Sequence, residues 1–521
     1  ENIPAATQLF TPDWIARYLV ENTLGRLWLE SCPEGRLKAK WAYYIDLRGQ
    51  APDTGENGRA TCPPLASPEA IRLIDPCAGS GNILVCAFDV LLDIYESTGY
   101  SSREAARLIL EKNLFGLDID PRAARLAAFV LKMKALRHDP SLLARPPRLP
   151  ICHPAGWEPG EAFGSLARPE EYPEEPPEGD LAPEENACAG GGRLFRRLLS
   201  RKYDVVVTNP PYMGGKVQSP ELAAFLKARY PDAKADTFSA FMVRCLELAR
   251  PGGFAGLFTP YVWMFIRSFE GLRRRLYAGA DIVSLIQLEY SAFEEATVPV
   301  CAFVLRNGKT GAPGEYLRLT DFRGGMEVQR AKALEAIADP RCGYRYTAGV
   351  EGLAKLPGAP LAYWLGEGFL RACARGAPLG RMGRMSEGVK TGDNERFLRL
   401  WFEVEAPKLG GKWVFYHKGG EFRRWYGNLD YVIDWEDGGR AIRGAPNSAL
   451  QGSDMYFKPV VCWSKITSRG TAFRYVPPGC LFDSGSPAFY SEERLLYVLG
   501  LLNSKVAREW LTAANPTLNT Q

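Results

Sequence analysis

Tyr203-Asp204-Val205-Val206-Val207-Thr208-Asn209-Pro210-Pro211-Tyr212 is the stretch around which this 521-residue chain is organised. Val205 to Val207 are β-branched, apolar and uninterrupted, the pattern of a parallel strand covered on both faces. The strand runs straight into a rigid turn. Asn209 offers a side-chain carbonyl, while Pro210 and Pro211 fix φ and remove backbone donors. Tyr212 supplies a flat aromatic face. An acceptor pair beside an aromatic platform, at the carboxyl end of a central strand, suits gripping a planar amine.

Upstream, two more strands end in loops that carry polar groups. Ile71-Arg72-Leu73-Ile74 enters Asp75-Pro76-Cys77-Ala78-Gly79-Ser80-Gly81, followed by an apolar helix from about 83 to 95. Glycines there let the backbone approach a ligand, a helix N-terminus lies behind them, and Asp75 could hold a cationic group. Leu114-Phe115-Gly116-Leu117-Asp118-Ile119 is the next strand, and Asp120-Pro121 starts a helix to about Arg137. Asp118 is placed to take both hydroxyls of a ribose, as acids do in dinucleotide folds, and Ile119 to pack on the attached base. Still earlier, residues 11–30 read as a helix with Thr11 as N-cap and Pro12 in its first turn.

Downstream, a helix is expected around Ser239–Ala249, then a strand Phe254–Thr259 and a basic helix with Arg273, Arg274 and Arg275. Strands Ile282–Leu288 and Val298–Leu305 lie close together in sequence, as an antiparallel edge pair would. Strands alternating with helices predict an α/β fold with ligands at the strands' carboxyl ends. This accounts for about residues 1–310, interrupted at about 140–192 by a Pro-rich, then acidic, surface insertion.

Residues 311–375 read as a connector. From 376 to 521 the texture changes, with Gly, aromatic and basic residues interleaved without helical period. Lys412-Trp413-Val414-Phe415-Tyr416-His417-Lys418 and Arg423-Arg424-Trp425-Tyr426 are examples. This predicts an irregular, β-containing second domain that ends in a helix at about Glu492–Trp510. Its aromatics serve equally well as core or as a binding surface.

At 46% apolar and 24% charged, the composition is ordinary for a globular protein, and no run is long enough to span a bilayer. The net charge is +4, but eight acids without a base fill 169–187, so the remainder stands at +12. That is compatible with nucleic acid without requiring it. The 12 cysteines include no Cys-x-x-Cys, and only His138, His153 and His417 accompany them. No metal site is expected, and reduced thiols fit a cytoplasmic protein. The chain opens at Glu1 and closes at Gln521, which reads as a piece of something longer.

The three loops, in this order, resemble those of S-adenosylmethionine-dependent amino-methyltransferases, in particular the adenine-specific DNA enzymes. Phe10-Thr11-Pro12 resembles that family's first cofactor segment. The resemblance implies a Rossmann-like, mostly parallel seven-stranded sheet with an antiparallel edge pair. It implies cofactor contacts at Phe10, Thr11, Pro12, Asp75, Cys77, Gly79, Gly81, Asp118, Ile119, Asn209 and Phe241. Asn209, Pro210, Pro211 and Tyr212 become the catalytic motif, and Phe293 matches the aromatic that stacks with Tyr212 on a flipped base. One departure stands out. The family usually carries an acid after the third strand, and Arg148-Leu149-Pro150-Ile151-Cys152-His153 has none.

A closer resemblance, to PglX-type methyltransferases of BREX phage-exclusion systems, covers most of the chain. It includes Gln8–Pro12, Asp75–Gly81, Phe115–Ala124, Asn209–Gly214, Leu501–Lys505 and Gly388–Phe397, the last resembling the start of a target-recognition region. It implies adenine-N6 methylation of double-stranded DNA, a C-terminal α+β target-recognition domain, and partner proteins of the exclusion system. Lys390, Thr391, Lys418, Arg423, Arg424, Lys465 and Arg469 are the candidate DNA contacts. Three other readings stay open: the modification part of a fused restriction enzyme, a protein-glutamine methyltransferase, and a DNA-recognition subunit with little activity alone.

Overall fold

The computed structural model describes residues 10–32, 35–47, 65–172, 191–290, 292, 298–466 and 470–514. It divides into two compact units, Glu1–Trp364 and Leu365–Gln521.

The first unit is built on one sheet. Its strands are β1 (Leu73–Asp75), β2 (Leu114–Leu117), β3 (Ile151–Cys152), β4 (Tyr203–Thr208), β5 (Ala249–Pro260), β6 (Ala280–Gln287), β7 (Val300–Asn307), β8 (Gly314–Arg318) and β9 (Arg345–Ala348). Among the described residues the order is β3-β2-β1-β4-β5-β7-β6-β8-β9. β1 to β5 are mutually parallel, and β7 runs antiparallel to both β5 and β6. Every residue of β4 is buried, as its run of valines requires.

The sheet thus has nine strands where seven were expected. β6 and β7 pair antiparallel, as their sequence spacing suggests, but they do not form the edge, because β8 and β9 extend the sheet beyond β6. These two strands fall within 311–375, so that stretch adds two strands to the sheet, with helix Gly325–Ala338 between them. β8 and β9 pair antiparallel, and a buried ion pair spans them. Arg345 Nε lies 2.6 Å from Glu315 Oε2 with both side chains 1% exposed, and Thr347 Oγ1 donates to Glu315 Oε1. No hydrophobic pattern advertises such a pair.

The segment 140–192 also differs from a plain surface insertion. It contains β3, and Ser165, Leu166 and Ala167 are buried. Buried Arg244 staples this segment down, donating to the carbonyls of Ser165 (3.1 Å), Ala167 (3.1 Å) and Leu199 (3.3 Å). The acidic run at 173–190 lies outside the described residues. Arg273, read as part of a basic helix, is fully buried and donates to the carbonyls of Trp263, Ile266, Gly358 and Ala359.

Four helices flank the loops singled out in the sequence: α1 (Asp13–Val20), α2 (Asn82–Ser97), α3 (Pro121–Leu136) and α4 (Thr237–Leu248). α1 is amphipathic and buries Trp14, Ile15, Ala16, Tyr18, Leu19 and Val20. Its N-cap position is Pro12, with no side-chain cap, so Thr11 is free of the capping role expected of it. α3 has the predicted Asp120 cap on the Arg122 N–H.

The second unit is an irregular assembly of short strands. Arg384–Ser386, Ala488–Tyr490, Val460–Trp463 and Phe473–Val476 form one four-stranded sheet. Leu398–Leu400, Tyr431–Asp434, Trp413–His417 and Leu481–Phe482 form another. The last helix of the sequence reading is two, Leu495–Leu502 and Lys505–Ala514, broken at Asn503. Asn503 leaves the helix to exchange hydrogen bonds with the Phe473 backbone, its Oδ1 3.2 Å from the N–H and its Nδ2 2.9 Å from the carbonyl.

Candidate active site

The three loops picked out in the sequence leave β1, β2 and β4 at their carboxyl ends, and these strands are neighbours in the order β2-β1-β4. The chain doubles back between β1 and β4, the switch point where open α/β sheets bind ligands.

Gly79 and Gly81 have φ of +53° and +85°, a region open to glycine and costly to other residues. A Cβ on Gly81 would lie 3.0 Å from Ala127 of α3, so close packing also demands glycine there. A Cβ on Gly79 would meet nothing within 4 Å, so its surroundings are open. Asp118 braces the loop. Its Oδ2 accepts the Gly79 N–H at 2.8 Å and its Oδ1 the Asp120 N–H at 2.8 Å. Burial holds its carboxyl above the usual carboxylate range. Ile119 beside it is 53% exposed, an apolar face turned to solvent.

Asp75 sits deeper than a ligand-contacting acid. It is 1% exposed, its Oδ1 accepts the Cys77 N–H at 3.0 Å, and burial pushes its carboxyl up to about 7. Cys77 contributes its backbone to that turn, and burial raises its thiol.

Asn209 is half-buried at the end of β4. Its Nδ2 donates to Thr11 Oγ1 at 3.1 Å, and its Oδ1 accepts the Tyr212 hydroxyl at 2.8 Å. The Tyr212 hydroxyl also lies 3.1 Å from the Phe258 carbonyl. Pro210 is buried, and Pro211 is held by Thr237 Oγ1, which donates to its carbonyl at 2.6 Å. Phe10 is 75% exposed; Thr11 and Pro12 are partly buried. The Thr11 carbonyl accepts from Asn82 Nδ2 at 2.8 Å, so Thr11 is tied both to the start of α2 and to Asn209. Phe241 is buried on α4, which packs on β4 and β5. Phe293 lies outside the described residues.

Four residues of the site escaped the sequence reading. Asn82 anchors Thr11. Asp236 accepts the Met213 N–H at 2.8 Å and, with Thr237, clamps the turn after Tyr212. Ser165 Oγ donates to the Pro76 carbonyl at 2.7 Å, so the segment lacking the expected acid is packed against the glycine loop. Asp236-Thr237 does show a capping pattern at the start of α4, but nothing local announces its second task at Pro211.

The candidate DNA contacts are all in the second unit. Lys390 and Arg424 are exposed, as is Arg423, whose guanidinium lies 3.7 Å from Glu421. Lys418 lies over the Tyr431 ring at 4.8 Å, and Lys465 is paired with Glu387 at 2.6 Å. Thr391 is buried and its hydroxyl donates to Asn394 Oδ1 at 2.6 Å, so it shapes the turn and is removed from the set of surface contacts. Arg469 lies outside the described residues.

A family profile, Eco57I restriction-modification methylase, matches residues 112–293. The adenine-specific methyltransferase BrxX of Escherichia coli O9:H4 (strain HS) is 33% identical over all of this chain and 49% of its own length. The adenine-specific methyltransferase PglX of Lacticaseibacillus casei (strain Zhang) is 34% identical over 99% of this chain and 49% of its own. The chain therefore spans about half the length of these curated relatives. Among solved structures, the Type IIL restriction-modification enzyme MmeI in complex with DNA shares the fold. Its TM-score is 0.56 at 13% identity, covering 96% of this chain and 64% of that one. With matches of this identity running the whole length of the chain, and the glycine loop, Asp118 and Asn209–Tyr212 gathered at one end of the sheet, the chain is similar throughout to PglX-type adenine-specific methyltransferases.

Proposed function

We propose that this chain is the catalytic and DNA-recognising part of a BREX-type DNA adenine-N6 methyltransferase that uses S-adenosylmethionine. The observation that carries the reading is the orientation of Asn209. Thr11 accepts from its Nδ2 and the Tyr212 hydroxyl donates to its Oδ1, which supports Oδ1 as the acceptor for a substrate amine. The amide is thereby set to accept hydrogens from an amine and not to donate.

The residues around the glycine loop fit the cofactor. The open space at Gly79 admits a ligand against the backbone, Asp118 keeps lone pairs for ribose hydroxyls beyond its two amide bonds, and Ile119 offers a face for the adenine. Phe10 to Pro12 and Phe241 complete the proposed contacts. When bound, the cofactor supplies an electrophilic methyl group.

Adenine N6 is a weak nucleophile because its lone pair is delocalised into the ring. Asn209 Oδ1 and the Pro210 carbonyl accept its two hydrogens and favour tetrahedral geometry, which localises the lone pair. The contribution is positioning and electrostatics. N6 is out of reach inside a duplex, so the base is flipped, with Tyr212 and Phe293 proposed as its stacking faces. The second unit is proposed as the target-recognition domain, and partner proteins of the exclusion system as part of the working assembly.

Methylation-sensitive sequencing of DNA from cells carrying the wild-type gene, the Asn209→Ala gene or neither tests this. The expected result is an N6-methyladenine motif present only with wild type. The same motif at the same occupancy with Asn209→Ala would reject the catalytic assignment.

A further inference from the structure

Trp425 has φ +74°, in the left-handed region that a bulky side chain rarely enters. The Tyr426 N–H donates to the Arg424 carbonyl at 2.9 Å, closing a γ-turn with Trp425 at its centre. A γ-turn of positive φ is the rarer, strained kind. The strain is held from behind by strand Phe473–Val476. The Trp425 N–H donates to the Phe473 carbonyl at 2.9 Å, and the Trp425 carbonyl accepts from the Tyr475 N–H at 2.8 Å.

Arg474, between those two residues, is 1% exposed and braces the loop from inside. Its Nη1 donates to the Arg423 carbonyl at 3.1 Å, its Nη2 to Ser464 Oγ at 3.0 Å and its Nε to His417 Nε2 at 3.2 Å. Asn428 Nδ2 closes the base of the loop on the Glu421 carbonyl at 3.2 Å.

None of these bonds serves to bury the side chains. All six residues from 421 to 426 are exposed, Trp425 at 52% and Tyr426 at 59%. An exposed indole on a strained turn gives the folded chain nothing in return, and strain that the surroundings over-determine marks ligand contacts. The chemistry beside it selects the ligand. Lys418, Arg423 and Arg424 face only Glu421 in the segment 418–427, and the Arg424 guanidinium lies 5.4 Å from the Phe422 ring centroid. Cations interleaved with flat aromatic faces suit phosphates and bases together.

We propose that Phe422–Tyr426 is a preformed DNA-contacting loop in which Trp425 and Tyr426 meet bases while Arg423 and Arg424 hold phosphates. The proposal rests on the reading that this chain acts on DNA. A loop already fixed in its binding shape loses little freedom on binding.

The test uses the full chain as wild type, Trp425→Gly and the double variant Arg423→Ala/Arg424→Ala. Glycine accepts the positive φ, so Trp425→Gly keeps or raises the Tm if the indole serves DNA and not the fold. The probes are a labelled duplex carrying the site that wild type methylates and a scrambled duplex, titrated at several salt concentrations. Sheared bacterial chromosomal DNA replaces them if no site is methylated. Trp425→Gly is expected to lose at least about tenfold in affinity at unchanged or higher Tm. The double variant is expected to weaken on all duplexes alike, with a salt slope reduced by about 2. Wild-type affinity in both variants overturns the proposal and leaves the loop as a protein-docking surface. A lowered Tm of Trp425→Gly with unchanged affinity overturns it in favour of a structural role. Failure of wild type to bind any duplex overturns the DNA reading itself.

Discussion

Thr11 and Asn209 are 198 positions apart, yet Thr11 Oγ1 lies 3.1 Å from Asn209 Nδ2. An amide has one donor end and one acceptor end, and its role depends on which end faces the substrate. Because Thr11 accepts from Nδ2, the Asn209 carbonyl points the other way, where the Tyr212 hydroxyl now donates to it. A residue of the proposed cofactor segment thus decides how the proposed amine-binding residue is turned.

Thr11→Val removes that acceptor while keeping shape. The expected result is a five- to tenfold fall in turnover, about 1 kcal/mol for one lost hydrogen bond. Thr11→Ser should restore most of it. Single-turnover methyl transfer, with cofactor affinity measured in parallel, separates a loss of amide orientation from a loss of cofactor.

Tyr212 has one hydroxyl proton and two acceptors, Asn209 Oδ1 and the Phe258 carbonyl. When an amine takes Asn209 Oδ1, the hydroxyl can still donate to Phe258 and keep the ring in place. Tyr212→Phe should therefore raise KM for DNA a few-fold with cofactor binding unchanged. Tyr212→Ala also loses the ring face, and stacking of about 1–3 kcal/mol corresponds to a loss of roughly 5- to 150-fold in kcat/KM. Equal effects of the two substitutions would show that the ring itself does not contribute.

His417 is fully buried, with Arg474 donating to its Nε2 and its Nδ1 2.9 Å from Ser486 Oγ. Nε2 must carry a lone pair, so Nδ1 bears the proton and donates to Ser486, whose hydroxyl passes on to the Trp463 carbonyl at 3.0 Å. Burial and the Arg474 charge lower its pKa from 6.5 to about 3. The unfolded chain then binds a proton that the folded chain refuses. The stabilisation is full above pH 6.5 and is lost as pH falls toward 3, amounting to about 3 kcal/mol by pH 4. Denaturant melts should show this acid sensitivity in wild type and a flatter profile in His417→Gln.

Glu315→Ala leaves Arg345 charged and buried without its carboxylate. Breaking such a pair costs about 3–5 kcal/mol. Urea titration should show the midpoint falling by that equivalent, while an exposed pair such as Lys408–Glu405, 2.9 Å apart, should change stability by less than about 1 kcal/mol when broken.

The sheet's parallel part and the three candidate ligand loops were legible in the sequence because the signals are local. Val205–Val207, the glycines at 79 and 81 and the capping Asp120 each constrain their own backbone. The antiparallel pairing of β6 and β7 was legible from their closeness in the chain. The strands β8 and β9 were not, since they are short and their antiparallel pairing brings together a buried ion pair, Glu315 with Arg345, from positions 30 residues apart. Arg273 misled for a related reason: it reads as one of three basic helix residues until the carbonyls that receive it are in view.

By itself the sequence determined the fold class, the order of the loops along the strands and the residue types proposed to hold a nucleoside and an amine. Local patterns of hydrophobicity and turn chemistry suffice for that. Only the tertiary structure decided which way Asn209 faces, that Asp75 lies beneath the loop, that Thr391 is spent inside its own turn and that Trp425 stands out on a strained one. Each of these depends on a hydrogen-bond partner or a burial set by the folded chain, and a side chain's role is fixed by what it meets in space.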